Sequence, residues 1–301
     1  MPTANKLKIG IILKPREVTD FDSVVPNLVR WLSRRRSLCL FLEKEKSRLE
    51  QIFRGNIPNA VQFIKLKEVH SQCRFIISLG GDGTLIGICR QIHKKSPPIF
   101  GVNVGRLGFI TEFSKVEIFD GLQLALAEKL QTTDLQAYTA EVYRNQKRIF
   151  SSHFINDAVL NKPDISRIFT LTVEAEDEPI YDLSGDGLII SSPIGSTAYS
   201  LAAGGPIIHP DVKAMVLTPI CPHSLTHRPV VLNEKQTIKI NITNHNAPVT
   251  VTLDGQETFE AKAHDTVVIK KSSGLKVKLL KNPSRTYFQT LKEKFTYGRR
   301  D

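Results

Sequence analysis

The sequence predicts two domains of different class, an α/β domain with a parallel sheet and then a mainly antiparallel β domain. Its 301 residues suit two domains, because a single domain averages roughly 100–200 residues. Strand and helix patterns alternate up to about residue 130, which is typical of a parallel sheet with helices on its faces. From about residue 135 to 280 short strand patterns follow one another with turns between them, which favours antiparallel pairing.

The first domain, residues 1–132, contains the alternating patterns. Strands are predicted at its four apolar runs, residues 8–14, 38–42, 75–79 and 99–102. Helices are predicted where apolar residues recur at helical spacing, over residues 20–35, 84–93 and 118–130. The alternation ends near Gln131, which places the domain boundary there.

The second domain, residues 133–280, carries the strand patterns. They cover residues 140–143, 148–150, 168–175, 238–243, 249–253, 266–269 and 275–280. Residues 272–274 (Ser-Ser-Gly) separate the last two patterns and predict a hairpin turn. Beyond residue 280 a closing helix is predicted, and four residues are expected to bury one apolar face of it: Tyr287, Phe288, Leu291 and Phe295.

Composition excludes several classes of protein. The longest apolar run has five residues, 38–42, whereas a membrane span needs about 20, and no secretory signal pattern precedes the first strand. The cysteines form no CxxC pair and no zinc-like cluster with histidine: Cys39, Cys73, Cys89 and Cys221. We therefore expect free thiols, a cytoplasmic location and no structural metal.

A basic excess predicts anionic ligands. The formal charge is +11, from 41 Lys and Arg against 30 Asp and Glu, and it is spread along the chain. A solvated basic surface is the alternative explanation for such an excess. Because basic and aromatic residues are not interleaved and no nucleic-acid-binding motif is present, we expect small anionic ligands rather than nucleic acid.

Residues 76–85 (IISLGGDGTL) carry the clearest chemical signal, since an apolar strand enters a glycine turn and a helix is predicted to begin at Thr84. Glycine permits close backbone approach, and a helix N-terminus presents amides that bind phosphate. Asp82 is a carboxylate inside that turn, which suits a proton-transfer role or a metal beside the phosphate. The stretch lacks the P-loop lysine and is one residue longer than the dinucleotide fingerprint. An ordinary strand–helix turn with Asp82 as its N-cap is the alternative.

Residues 80–84 (GGDGT) resemble the signature of the superfamily that contains NAD kinases, lipid kinases of the diacylglycerol and sphingosine type, and phosphofructokinases. Further motifs follow in the order found in bacterial-type NAD kinases, at residues 101–109, 156–157, 185–200, 204–206 and 253–256. Over about residues 75–260, and again at 287–298, the chain therefore resembles the GGDGT-containing ATP-NAD kinases. It departs from them at Asp157, where many members have Glu, and at Ile194, where Ser or Thr is frequent.

The resemblance implies a fold, a reaction and partners. The second domain would be β-sandwich-like, and residues 281–301 would form a helix that returns to the first domain. The chain would transfer the γ-phosphoryl group of ATP, or of another phosphate donor, to the 2′-hydroxyl of the adenosine ribose of NAD, giving NADP. Mg²⁺ or another divalent cation would arrive on the phosphates. Homodimers or homotetramers are expected, with NAD sites that can involve two subunits.

The resemblance also implies roles for particular residues. Asp82 would be the general base that takes the proton of the 2′-hydroxyl. Backbone amides of four residues would hold the donor phosphates: Gly80, Gly81, Gly83 and Thr84. Nucleotide contacts are implied for Asn156, Asp157, Asp186, Thr197, Ala198, Tyr199 and Gln256. Asp186 is expected near residues 197–199. Read alone, residues 156–157 fit an Asx turn and residues 195–200 fit a β-turn.

Two other functions fit part of the sequence. A lipid kinase or another small-molecule kinase of the superfamily shares GGDGT but not the motifs at residues 187–200 and 254–256. A non-catalytic nucleotide sensor would bind NAD without forming NADP. A panel of acceptors separates the first alternative from an NAD kinase, and release of NADP separates the second.

Overall fold

A computed structural model describes residues 6–15, 20–91, 96–105, 108–162, 169–244 and 248–296. The chain divides into two compact units. Unit 1 consists of residues 1–135 and 276–301, and unit 2 consists of residues 136–275, so unit 1 is assembled from both ends of the chain. No helix within the described residues is long and apolar enough to cross a membrane.

Unit 1 is an α/β unit around a parallel sheet. Its elements up to residue 126 are β1 (Leu7–Leu13), α1 (Phe21–Arg34), β2 (Ser37–Leu42), α2 (Lys46–Ile52), β3 (Val61–Ile64), α3 (Leu66–Gln72), β4 (Ile76–Gly80), α4 (Asp82–Cys89), β5 (Ile99–Asn103), β6 (Phe113–Ser114) and α5 (Ile118–Leu126). Five strands pair in parallel in the order β3-β2-β1-β4-β5. The strand order reverses between β1 and β4, and ligands of open α/β sheets bind beyond the carboxyl ends of the strands at such a point. GGDGT begins with the last residue of β4 and so lies at that edge.

Two helices in unit 1, α4 and α5, differ in extent from the sequence prediction. α4 begins at Asp82 rather than at Thr84, because Gly81 takes the N-cap position in an extended conformation. α5 ends at Leu126 rather than at residue 130, since Glu128 adopts a left-handed conformation (φ 57°) that does not continue a helix. α4 also ends at Cys89 rather than at residue 93, and residues 92 and 93 of that prediction lie outside the described residues.

Unit 2 is built almost entirely from antiparallel strands. The elements after α5 are β7 (Thr132–Arg144), β8 (Lys147–Phe154), β9 (Asp157–Asn161), β10 (Phe169–Ala175), β11 (Glu178–Gly185), β12 (Gly187–Ser191), α6 (Tyr199–Ala202), β13 (Ala214–Ile220), β14 (Val230–Asn233), β15 (Ile238–Asn244), β16 (Val249–Leu253), β17 (Glu257–Ala261), β18 (Thr266–Leu280) and, in unit 1, α7 (Tyr287–Thr296). One sheet has the order β14-β13-β12-β9-β16-β17, and β11, β10, β15 and β18 form a second antiparallel set. Leu188 of the first and Ile240 of the second share one buried cluster, as in a β-sandwich. Both predicted fold classes are confirmed.

The hairpin predicted at residues 272–274 is wrong, because β18 continues through them. The Ser272 hydroxyl is buried, 2.6 Å from the Thr139 hydroxyl and 3.1 Å from His153 Nδ1. These contacts hold the serine within the sheet. Gly274 has a positive φ of 68°, which departs from regular strand geometry. The residues that suggest a turn therefore form an irregular part of one long strand, β18.

The last helix, α7, is not buried as predicted. Phe288 is 67% exposed and Phe295 is 51% exposed, so an apolar face formed by both is not packed. The chain is attached to unit 1 at Asn282, a buried residue that precedes α7. Asn282 Nδ2 donates to Glu112 O at 3.1 Å and to Glu117 Oε1 at 3.0 Å. Polar contacts therefore attach this segment to the rest of unit 1.

We expect Asn282→Ala to lower the free energy of unfolding more than Phe288→Ala does. The first change leaves two acceptors without their donor, and an unsatisfied buried group costs about 1–3 kcal/mol. The second change removes a largely exposed ring, and surface substitutions usually stay within about 0.5 kcal/mol. Urea denaturation of both variants measures the difference. A larger loss in Phe288→Ala would show that the helix face is packed after all.

Candidate active site

The glycine turn, residues 80–84, connects β4 to α4 in unit 1. A Cβ added to Gly80 would lie 2.2 Å from Thr84 Oγ1, so the threonine side chain occupies the space that a larger residue would need. Gly81 is the N-cap, and no side chain caps the helix, so the alternative reading of Asp82 as N-cap is wrong. Thr84 N donates to Gly81 O at 3.0 Å, which engages this amide within the helix.

The Asp82 carboxylate is held by the loop that follows β5. Oδ2 accepts from Phe109 N at 2.7 Å. Oδ1 accepts from Ile110 N at 3.3 Å, from Thr111 N at 3.0 Å and from Thr111 Oγ1 at 2.9 Å. These bonds fix the orientation of the carboxylate, since hydrogen bonds to charged groups are the stronger ones. Oδ2 accepts a single bond from the described residues, and a carboxylate oxygen offers about two acceptor positions, so a substrate hydroxyl can donate to it.

Two residues keep this loop close to Asp82. A Cβ added to Gly108 would lie 1.8 Å from Asp82 Oδ1, so glycine alone permits the approach. Asn103, the last residue of β5, donates from Nδ2 to Thr111 Oγ1 at 3.1 Å and accepts from Gly105 N at 2.8 Å. The motif at residues 101–109 thus supports the carboxylate of the glycine turn. Residues 106–107 of this motif lie outside the described residues.

Three polar loops of unit 2 meet at one end of its six-stranded sheet. β9 begins at Asp157, and its antiparallel neighbours β12 and β16 end at Ser191 and Leu253. Because antiparallel neighbours run in opposite directions, the start of β9 lies beside the ends of both. Ser191 pairs with Asp157, and Leu253 pairs with the next residue of β9. We call these loops, residues 155–157, 192–200 and 254–256, the three-loop end.

The structure brings six of the seven proposed nucleotide contacts to the three-loop end: Asn156, Asp157, Thr197, Ala198, Tyr199 and Gln256. The seventh, Asp186, precedes β12 and lies at the other end of that strand, roughly 16 Å away along five residues. The expectation that Asp186 lies near residues 197–199 is therefore wrong within one copy of the chain. Its carboxylate contacts Lys162 Nζ at 2.8 Å, and the hydrogen bond from this ammonium group lowers the pKa of Asp186.

Asn156 and Asp157 place two buried polar side-chain groups at the three-loop end. Asn156 Oδ1 is buried and has no hydrogen-bond partner among the described residues. Asp157 is buried as well, and burial, followed by the charge of Asp254, raises the pKa of Asp157 to about 7. Buried polar groups are normally hydrogen-bonded, so an unpartnered amide oxygen beside a perturbed carboxyl indicates a place for a polar ligand.

The loop at residues 192–200 lies close to the Asn156 backbone. A Cβ added to Gly195 would lie 2.1 Å from Asn156 O, so this close approach requires glycine. Thr197 Oγ1 donates to a carbonyl of its own turn at 3.1 Å, and Ala198 is exposed. Tyr199 is 48% exposed, which leaves a ring face available to a planar ligand.

Sequence reasoning missed three residues that organise these sites. Asp254 accepts backbone hydrogen bonds from residues 155–157, while Asn103 and Thr111 secure the loop around Asp82. Asp254 and Asn103 lie within recognised motifs but had no assigned role, and Thr111 lies outside them. Asp followed by Gly is a hairpin-turn signal, so the sequence indicated the turn at residue 254 but not the bonds that its side chain makes to another loop.

The side chains fit a metal ion that arrives with phosphate rather than one held by the protein. Within the described ranges no group of three or more His, Cys, Asp or Glu could hold a metal ion. Mg²⁺ in phosphate-transferring sites is usually bound through one or two carboxylates together with substrate phosphates and water.

Comparisons with known proteins point to one family over both units. The family model for the ATP-NAD kinase N-terminal domain matches residues 9–130, and that for the C-terminal domain matches residues 155–281. An NAD kinase from Solibacter usitatus is 38% identical over 291 residues, which are 97% of this chain and 98% of that protein. An NAD kinase from Aquifex aeolicus is 35% identical over 87% of this chain and its own full length.

Two solved structures share the fold. The yeast NADH kinase, crystallised with NADH, has a TM-score of 0.88 at 21% identity and covers 98% of this chain and 89% of its own. The NAD kinase from Archaeoglobus fulgidus in complex with ATP has a TM-score of 0.72 at 22% identity, with 96% and 99% covered. At these identities the likeness establishes the fold.

Proposed function

The chain belongs to the NAD kinase family and is a phosphotransferase, and we propose that it transfers the γ-phosphoryl group of ATP, or of another phosphate donor, to the 2′-hydroxyl of the adenosine ribose of NAD. The relationship extends over 97% of the chain at 38% identity. The matched family regions include the glycine turn and the three-loop end. The relationship does not favour a lipid kinase or a non-catalytic sensor. NAD and ATP are the proposed substrates, and NADP is the proposed product.

The observation that carries the proposed mechanism is the fixed carboxylate of Asp82, the first residue of α4. Phosphoryl transfer depends on positioning and charge stabilisation more than on covalent chemistry by the protein. Asp82 Oδ2 would accept the proton of the 2′-hydroxyl as that oxygen bonds to the γ-phosphorus, and the bond from this phosphorus to the ADP oxygen would break. The glycine turn would hold the donor phosphates through backbone amides and the helix N-terminus.

Each loop of the three-loop end has a proposed part in holding NAD. The amide of Asn156 would bond a polar edge of the nucleotide, and Asp157 would accept from ribose hydroxyls. Tyr199 would contact a ring face, with Thr197, Ala198 and Gln256 around it. Asp186 lies at the other end of β12, so a contact from this residue would reach NAD bound to a neighbouring copy. Such sharing fits a homodimer or homotetramer.

Two further parts of the proposal concern the cation and the compartment. Mg²⁺ or another divalent cation on the ATP phosphates would neutralise their charge during transfer, and no residue is assigned to hold it. The free thiols of Cys39, Cys73, Cys89 and Cys221 support a reducing compartment such as the cytoplasm.

The experiment that tests the proposed function is an assay for NADP. Purified protein is mixed with NAD, ATP and Mg²⁺, and NADP is detected with a dehydrogenase that accepts NADP but not NAD. We expect NADP to form, and we expect no phosphate transfer to diacylglycerol or a sphingoid base offered instead of NAD. Binding of NAD without any NADP would favour the sensor.

We expect Asp157→Asn to weaken NAD binding and to change how stability depends on pH. Burial and Asp254 raise the pKa of Asp157 to about 7, so the folded protein holds this proton more tightly than the unfolded chain does. The stability that the proton contributes is complete below about pH 4 and is lost as the pH rises through about 7. The amide does not titrate, so the Tm of the variant relative to wild type should rise between about pH 5 and about pH 8.

Differential scanning calorimetry at both pH values measures that Tm difference, and KM for NAD measures the loss of binding. A Tm difference that does not vary with pH would contradict the raised pKa. An unchanged KM for NAD would remove Asp157 from the proposed acceptor site.

A further inference from the structure

The carboxylate of Asp254 binds three consecutive backbone amides of the three-loop end. Oδ1 accepts from Asn156 N at 2.7 Å and from Asp157 N at 3.2 Å, and Oδ2 accepts from Ile155 N at 3.0 Å. Asp254 lies at the tip of the hairpin between β16 and β17, in a left-handed conformation (φ 52°). The charged side chain of this turn residue is thus committed to the loop that precedes β9.

The carbonyls of the same loop are engaged by Ser192. Ser192 N donates to Asn156 O at 2.8 Å, and Ser192 Oγ donates to Ile155 O at 2.6 Å. The backbone of residues 155–156 therefore has partners for both its donors and its acceptors. The side chains of Asn156 and Asp157 are the groups of this loop that remain for a ligand.

The charge of Asp254 also disfavours ionisation of the neighbouring Asp157 carboxyl. This charge adds to the burial that raises the pKa of Asp157, so a half-buried carboxylate is kept next to a buried carboxyl group. Two like charges disfavour each other's ionisation, but a carboxylate offers two acceptor oxygens to the three amides, whereas Asn offers one. Proteins keep such unfavourable pairs of like charges mostly at functional sites.

We propose that Asp254 is a positioning residue for NAD, because it holds the backbone of residues 155–157 so that the Asn156 amide and the Asp157 carboxyl face the nucleotide. This inference rests on the proposed function, since it takes NAD as the ligand of the three-loop end. Asp254 acts through the loop and not by touching NAD. Its loss should therefore weaken NAD binding while phosphoryl transfer on bound NAD and the binding of ATP stay close to normal.

Asp254→Asn is the direct test. The variant keeps the size of the side chain but replaces one acceptor oxygen with an NH₂ group that faces amide donors, so the loop loses part of its support. We expect KM for NAD to rise about 10-fold or more, with kcat and KM for ATP within about threefold of wild type. A merely structural role would lower stability without this separation of KM from kcat.

Asp265→Asn is the matched control. Asp265 is a buried carboxylate of unit 2, and it accepts from Arg144 Nη2 at 2.7 Å and from Lys262 N at 2.8 Å. It follows the end of β17 that is remote from the hairpin tip at residue 254. We expect this variant to melt earlier than wild type with an unchanged KM for NAD.

Calorimetric titration of NAD without ATP separates this inference from the proposed function. If wild-type protein binds NAD but releases no NADP, the proposed function fails, and the NAD affinity of Asp254→Asn still decides the inference. If Asn156→Ala weakens NAD binding and Asp254→Asn does not, the inference is overturned. If the Asn variant does not fold, Asp254→Glu takes its place, because the longer side chain displaces the carboxylate; NAD affinity equal to wild type in this variant would overturn the proposal.

Discussion

Asp82→Asn is expected to lower kcat by about 10²–10⁴-fold, while the protein still folds and still binds NAD. The amide cannot accept the proton of the attacking hydroxyl, but its oxygen still accepts hydrogen bonds from the loop at residues 109–111. The loss should therefore appear in kcat for NADP formation far more than in KM for NAD. Rates at saturating NAD and ATP, together with calorimetric NAD affinity, measure the two effects.

Asp120→Asn is the control for this change, because Asp120 is exposed in the first turn of α5 in the same unit. It should keep wild-type kcat and Tm. The Tm of Asp82→Asn reports how far the four hydrogen bonds of the carboxylate also stabilise the loop. A kcat near that of wild type in Asp82→Asn would exclude Asp82 as the general base.

Gly108→Ala should lower kcat by a similar factor for a steric reason. The added Cβ would lie 1.8 Å from Asp82 Oδ1, so either the carboxylate or the loop must move. A displacement of about 1 Å can cost about 10²-fold in rate, although the carboxylate itself is still present. NADP formation at saturating substrates measures the effect, and we expect NAD affinity to change little.

Gly105→Ala is the matched change in the same loop. A Cβ added there would lie 3.7 Å from Asn103 Oδ1, which is ordinary van der Waals contact, so we expect kcat within about threefold of wild type. Equal loss of kcat in both alanine variants would mean that the loop tolerates no substitution and that the position of Asp82 is not the cause. A normal rate in Gly108→Ala would mean that the carboxylate can move without consequence.

The sequence was most informative where local structure requires a particular residue type, such as glycine in a tight turn. The apolar run before Gly80 and the glycines after it predicted a strand, a tight turn and a helix, and β4 and α4 have that order. It failed at residues 272–274, where turn-forming residues lie within β18 because the Ser272 hydroxyl is bonded by β7 and β8. Such contacts come from distant parts of the chain, and local propensity does not contain them.

In the candidate site, too, the sequence indicated local features but not the contacts between distant parts of the chain. Asp82, Asn156 and Asp157 were identified from motifs, but their supports were not, because Thr111 and Asp254 act through bonds that span 29 and 97 residues or more. The position of Asp186 was also missed. A sequence motif places residues 185–200 together along the chain, whereas a strand, β12, separates their two ends in space.

An NAD analogue that lacks only the 2′-hydroxyl of its adenosine ribose gives the most direct test of the proposed reaction. A base at Asp82 acts on a hydroxyl placed within about 2.6–3.2 Å, directly or through one water. We expect the analogue to bind, to compete with NAD, and to receive no phosphate from ATP. NAD analogues altered at the nicotinamide end serve as controls and should still be phosphorylated, with larger changes in KM than in kcat. Phosphorylation of the 2′-deoxyadenosine analogue at a rate comparable to that of NAD would show that another hydroxyl attacks, and it would contradict the proposed transfer to the 2′ position.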